Sequence, residues 1–114
     1  MFSSVLFIYN FSKFGAFLYL QKLIVMVAKQ IILKGRVQGV GFRYFIYQKA
    51  HMLGIRGFVR NEPDGTVYVE AEAPDQQTMQ TFIDYLKRDP SLAHVENILV
   101  SDIPPKNYNA FIIK

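Results

Sequence analysis

An α+β chain with its elements in the order β-α-β-β-α-β is what three features of the sequence predict. Apolar residues recur at helical spacing in two separate stretches, Phe42, Ile46, Ala50 and Leu53, then Met79, Phe82, Ile83 and Leu86. Between them Val67, Val69 and Ala71 alternate with Tyr68, Glu70 and Glu72, which is the period of a strand. The run Glu62-Pro63-Asp64-Gly65 is a turn that joins this strand to an earlier apolar one, as in a hairpin. Two helices packed on one face of an antiparallel sheet, in two layers, is the ferredoxin-like arrangement.

Taken in order, Gln30 to Lys34 forms the first strand and Tyr44 to Leu53 the first helix. Phe45 flanks the apolar face of that helix, and Gly54 stops it because glycine readily takes the left-handed conformation that follows a last turn. His51 reads as a surface or boundary histidine. Ile55 to Asn61 is the second strand and Thr66 to Glu72 the third, with Glu70 and Glu72 on the face away from the valines and so expected to be solvated. Asp75, after Pro74, is a good N-cap for a second helix running to Lys87. Arg88-Asp89-Pro90-Ser91 ends it, since Pro90 cannot continue a helix. Val95 to Ile103 is a further strand, Pro104-Pro105 a break, and Phe111-Ile112-Ile113 a short extra strand.

With 114 residues, 51% of them apolar, the chain makes one domain around a single modest core. It has no cysteine, which excludes disulfides, thiolate nucleophiles and zinc–sulfur sites. The formal charge is +4, but Lys13 and Lys22 stand in a stretch without acids, so residues 26–114 hold 11 basic and 9 acidic side chains. A net of +2 is too mild to argue for nucleic acid.

The stretch Gly35-Arg36-Val37-Gln38-Gly39-Val40-Gly41-Phe42-Arg43 lies between the first strand and the first helix. Its glycines let main-chain N–H groups turn toward one point, and the helix start adds unpaired N–H groups and the positive end of a dipole. Such a concavity suits an anion, most naturally a phosphate. Gln38, Gly39, Val40, Gly41, Phe42 and Arg43 would supply the main-chain donors, and the Arg43 guanidinium can offer two parallel hydrogen bonds to phosphate oxygens. The stretch is not a Walker A loop, because Phe42 and Arg43 follow the last glycine, nor a dinucleotide fingerprint, because Tyr44 stands where a glycine is required. Neither this stretch nor Gly57-Phe58-Val59-Arg60-Asn61 at the end of the second strand contains a serine, cysteine or histidine to act as nucleophile, and no carboxylate cluster has metal-ligand spacing. A site so poor in acid–base and covalent groups fits only a phosphoryl transfer with a good leaving group.

Gly35 to Arg43, followed by Gly57-Phe58-Val59-Arg60-Asn61, resembles the paired signatures of the acylphosphatases, small enzymes that hydrolyse the carboxyl–phosphate bond. The resemblance covers about residues 29 to 114. It departs from the family pattern at Phe58, where the aromatic is often tryptophan, and at Ala73-Pro74, where a glycine is common. The resemblance implies a ferredoxin-like fold and hydrolysis of small acyl phosphates by direct attack of water, without metal, cofactor or covalent intermediate. Arg43 would bind the phosphoryl group and Asn61 would hold the attacking water. Inorganic phosphate and sulfate would compete for the same cradle. A monomer in the cytoplasm, with no nucleic-acid partner, is the expectation.

Residues 1–28 are unlike the rest, being apolar and broken only by Lys13 and Lys22. No uncharged run there reaches the roughly 18 residues of a spanning helix. A misassigned start, with Met26 the true one, leads over an export leader and over a membrane anchor. Export or membrane contact follows only if the extension is genuine. Two rivals to the enzyme reading are weaker. Arg56-Gly57-Phe58 echoes an RNA-recognition motif, but Val59, Arg60 and Asn61 replace the aromatics it needs. A domain of a larger carbamoyl-transferring maturation protein would require further domains.

Overall fold

A computed structural model describes residues 26–88 and 93–114. Strand β1 (Val27–Arg36) leads to helix α1 (Phe42–Leu53), then β2 (Arg56–Asn61), β3 (Val67–Ala73), α2 (Gln76–Lys87), β4 (His94–Asp102) and β5 (Phe111–Ile113). The sheet order is β4-β1-β3-β2-β5, so β3 lies between the two strands that α1 connects. The first four strands pair antiparallel, whereas β5 runs parallel to β2, making the sheet mixed where an antiparallel one was expected. Strand β1 begins at Val27, so the expected domain boundary after residue 28 falls inside it. Residues 1–25 of the expected extension, and the break at Asp89-Pro90-Ser91, lie outside the described residues. Among the described residues no helix is long and apolar enough to cross a membrane.

The helical stripes do what their spacing implies. Phe42, Ile46 and Ala50 of α1 and Met79, Phe82, Ile83 and Leu86 of α2 are buried against Ile31, Leu33, Val59, Val67, Val69 and Ala71 of the sheet. Each large apolar side chain withdrawn from water contributes about 1.5–3 kcal/mol, so this single layer supplies most of the drive to fold. Asp75 caps α2, its carboxylate accepting the Thr78 N–H at 2.7 Å. Gly54 ends α1 at φ 70.

The opposite face of the sheet departs from the sequence reading. Glu70 and Glu72 are not solvated but buried, at 6% and 5% exposure. The coil after β4 folds back across them. Glu72 accepts the successive main-chain N–H groups of Lys106, Asn107 and Tyr108, which converge because Asn107 takes a positive φ of 61. Glu70 accepts hydroxyl hydrogen bonds from Tyr68 and Tyr108, each at 2.6 Å, and the Lys106 ammonium at 2.9 Å. Alternation in β3 marks the two faces correctly but carries no sign of a covering coil 35 residues later in the chain.

Burial alone would raise the Glu70 carboxyl, but the bonds from Tyr108, Tyr68 and Lys106 outweigh it and hold the group near 2, against an ordinary 4.5. Burial and the bond to Glu70 push the Tyr68 phenol up to about 12. Because the folded-state value of Glu70 is lowered, its contribution to stability is complete above about pH 4.5 and is lost as pH falls toward 2. Tyr68 acts at the other end, its contribution being complete below pH 10 and lost as pH rises through about 12. Melting temperature measured against pH should therefore fall on both flanks. Glu70→Gln should flatten the acid flank and cost about 1–3 kcal/mol at neutral pH, since it leaves buried donors poorly paired. An unchanged acid flank in that variant would remove Glu70 as its source.

Candidate active site

The loop between β1 and α1 is shorter than the glycine count suggests. β1 runs through Arg36, and Gly35 pairs with Val95 beside a register shift in β4. A Cβ on Gly35 would meet the His94 carbonyl oxygen at 2.2 Å, so this glycine serves strand packing rather than the anion cradle. The loop proper is Val37–Gly41, with Val37 buried and Gly39 and Gly41 at φ 77 and 78. A Cβ at either of these two glycines would meet nothing within 4 Å, so there the constraint is conformation and the space beside the loop stays open.

Gly41 is the N-cap of α1 and no side chain caps the helix, in contrast to α2. First-turn N–H groups cannot bond within the helix, so an uncapped start keeps them for something else. They open on a cavity of about 180 Å³ lined by Val37, Gly39, Gly41, Phe42, Arg43, Tyr44, Asn61 and Ile113. The two signatures thus meet at one place. Arg43 comes from the first turn of α1, and Asn61 from the end of β2, paired with Val67 on β3. The insertion of β3 between β1 and β2 is what brings the ends of the two segments to the same edge.

Not every expected contact is made by a side chain. Gln38 and Val40 do not line the cavity. Val40 packs against the core, and the Gln38 amide turns to the β2–β3 hairpin, so neither side chain is directed into the cavity. The Arg43 guanidinium donates one hydrogen bond from Nη1 to the main-chain oxygen of Lys114 at 3.2 Å. That bond turns the fork of donors in one direction, and the other donors have no partner among the described residues. Asn61 has a side-chain oxygen, Oδ1, that is buried and finds no hydrogen-bond donor among the described residues.

Sequence reasoning missed the contribution of β5. Its parallel pairing with β2 matches Val59 with Ile113 and brings Lys114 N–H to the Val59 oxygen at 2.9 Å. This seats Ile113 in the cavity wall and the Lys114 oxygen behind Arg43. Three apolar residues carry too little pattern to reveal a parallel partner; only the burial of Phe111 against Phe82 distinguishes them. Tyr44 was also missed, because its ring is exposed on the helix and stacks on Tyr47.

Chemically, the wall offers an arginine, main-chain amides and an amide side chain, with Tyr44 as the one further titratable group. Such a site can hold and polarise a phosphoryl group and direct a water molecule. It has no carboxylate or imidazole among its lining residues to serve as general acid or base.

Known proteins share both sequence and shape. The acylphosphatase family model matches residues 29–113. The chain is 43% identical over 86 residues to the acylphosphatase of Archaeoglobus fulgidus, covering 75% of this chain and 96% of that one. It is 40% identical over 89 residues to that of Thermotoga maritima, covering 78% and 98%. The crystal structure of acylphosphatase from Bacillus subtilis superposes with a TM-score of 0.74 at 35% identity, over 77% of this chain and 98% of that one. With the family model spanning nearly the whole described domain, the chain belongs to the acylphosphatase family, hydrolases that act on acid anhydrides.

Proposed function

We propose that this site hydrolyses the carboxyl–phosphate bond of small acyl phosphates by direct attack of water, with no metal and no covalent intermediate. Main-chain N–H groups of Gln38 to Arg43 and the Arg43 guanidinium hold the phosphoryl oxygens. Asn61 holds the water. The observation that carries this division is the buried, unpartnered Asn61 Oδ1 in the same wall as Arg43 and the open glycine loop. An acceptor left without a donor costs about 1–3 kcal/mol, and a water O–H is the natural donor to fill it.

The leaving group supports the same reading. A loose phosphoryl transfer needs positioning and charge stabilisation more than covalent help. A carboxylate departs as a stable anion, so the bond to phosphorus can break without a proton donor. An alkoxide would need one, and no carboxylic acid or imidazole lines the cavity. The enzyme should therefore turn over acetyl phosphate and benzoyl phosphate in EDTA and leave glycerol phosphate nearly untouched. Rapid metal-free hydrolysis of glycerol phosphate by pure protein would overturn the mechanism.

Arg43 and Asn61 should fail in different ways. Arg43→Ala removes the cation from the cradle, so turnover should drop about 10²–10³-fold and competitive inhibition by phosphate and sulfate should weaken with it. Arg43→Lys should recover little, because an ammonium lacks the planar two-point contact. Asn61→Ala should lower turnover while the phosphate inhibition constant stays near wild type. Asn61→Asp should do no better, since its negative charge faces an anionic substrate. Full activity in a folded Asn61→Ala would end the water-holding role, and full activity in a folded Arg43→Ala would end the whole reading.

The reading also takes the catalytic unit to be a cytoplasmic monomer that does not need residues 1–25. A chain beginning at Met26 retains every strand and helix described here. It should match the full chain in turnover. A soluble but inactive shortened chain would make the extension part of the working fold.

A further inference from the structure

Gln38 sits inside the phosphate-loop signature, yet its side chain is directed away from the cavity. Its Nε2 donates two hydrogen bonds, to the Glu62 carbonyl at 2.8 Å and to the Thr66 carbonyl at 2.7 Å. These are the two oxygens that close the base of the β2–β3 hairpin. Glu62 O also accepts from Gly65 N–H at 3.1 Å, and Thr66 O from Glu62 N–H at 2.9 Å. Both amide protons of Gln38 are thereby used. The hairpin they grip is already stiff, since Asp64 accepts from the Thr66 N–H at 3.0 Å and hydroxyl at 2.6 Å.

The position of this strap matters because of what flanks it. Gln38 stands between Val37 and Gly39, both of which line the cavity. Glu62 directly follows Asn61. Without the strap, the loop and the asparagine are related less directly, through the pairing of β1 to β3 and β3 to β2 and through Arg43, the Lys114 main chain and Val59. With it, the loop that holds phosphate is bonded directly to the residue next to Asn61. We propose that Gln38 is a positioning residue that keeps Asn61 in register with the phosphate cradle, so that it serves the turnover step and not phosphate affinity. This rests on the water-holding role of Asn61 proposed above.

The test uses the full chain with Gln38→Met, which keeps the length of the stem and removes both donors. A second variant, Gln38→Asn, keeps the amide on a stem one methylene shorter, too short to span both carbonyls. Turnover and KM on benzoyl phosphate, the phosphate inhibition constant and thermal unfolding are measured for each. Misplacement of about 1 Å in a reacting group costs up to about 10²-fold, so kcat should fall about 10- to 10²-fold while phosphate inhibition stays within about twofold of wild type. In an Asn61→Ala background Gln38→Met should lower kcat no further, because the residue it positions is gone. A folded Gln38 variant with wild-type kcat would overturn the role. So would a loss that multiplies with that of Asn61→Ala, or a phosphate constant that rises in step with the loss of kcat. Those results would leave the acyl phosphate reading standing. A wild-type chain that fails to hydrolyse acyl phosphates would instead overturn that reading, and the Gln38 role with it.

Discussion

Main-chain contact along β3 is the constraint on which the rest of the molecule depends. β3 pairs with β1 on one side and β2 on the other, so it alone relates the loop before α1 to the end of β2 through the sheet. The contact with β2 is close. At Gly57, φ is 142 and a Cβ would stand 1.8 Å from the Glu70 carbonyl oxygen, a distance no side chain tolerates. Any larger residue would drive β2 off β3 and carry Asn61, four positions further along, away from the loop. Gly35 plays the matching part between β1 and β4. Two glycines of the paired signatures are thus framework residues, and a reading that gives every signature glycine to the ligand overstates the cradle.

The two faces of the sheet divide the work. On the helix side lie the core and the cavity. On the other side Glu70 and Glu72 pin the coil 103–110 to the sheet, and Phe58 lies beneath Tyr108, 5.9 Å between ring centroids, and beneath the Lys114 ammonium at 4.0 Å. That coil leads directly into β5, whose register places Ile113 and the Lys114 oxygen at the site. Buried carboxylates are costly unless every lone pair has a donor, and here tyrosine hydroxyls, an ammonium and a nest of amides supply them. A polar network on the face away from the cavity therefore seats one of that cavity's walls.

How much of this was legible in the sequence follows from the range of the interactions involved. Helices α1 and α2 were readable because Phe42, Ile46 and Ala50, and Met79, Phe82, Ile83 and Leu86, express burial at a local period. The Pro-Asp-Gly turn and the Asp75 cap are equally local. Arg43 and Asn61 were identified from two short signatures, and both line one cavity. What escaped was set by contacts distant along the chain. The solvation expected of Glu70 and Glu72 failed because Lys106 and Tyr108 cover them. The parallel pairing of β5, the Lys114 oxygen behind Arg43 and the turn of Gln38 away from the cradle likewise depend on partners 24 or more residues away. Single-sequence periodicity carries no term for such contacts.

Stability is given up in the cavity and recovered outside it, and the location of the loss bears on what the site does. The start of α1 lacks the side-chain cap that Asp75 gives α2; with glycine at that position the cost is only about a few tenths of a kcal/mol, but first-turn N–H groups are left without a side-chain acceptor. Gly39 and Gly41 suit their positive φ and, having no Cβ, leave the volume beside the loop open. Asn61 keeps a buried acceptor without a donor. The helix start and the lone acceptor border the same small volume. On the reading proposed above, an anion with a bound water would satisfy both: the amides would gain an acceptor, and Asn61 a donor. A site so arranged would be preorganised for phosphate and water together, which is what the proposed hydrolysis requires of a protein that contributes geometry and charge rather than a reacting group.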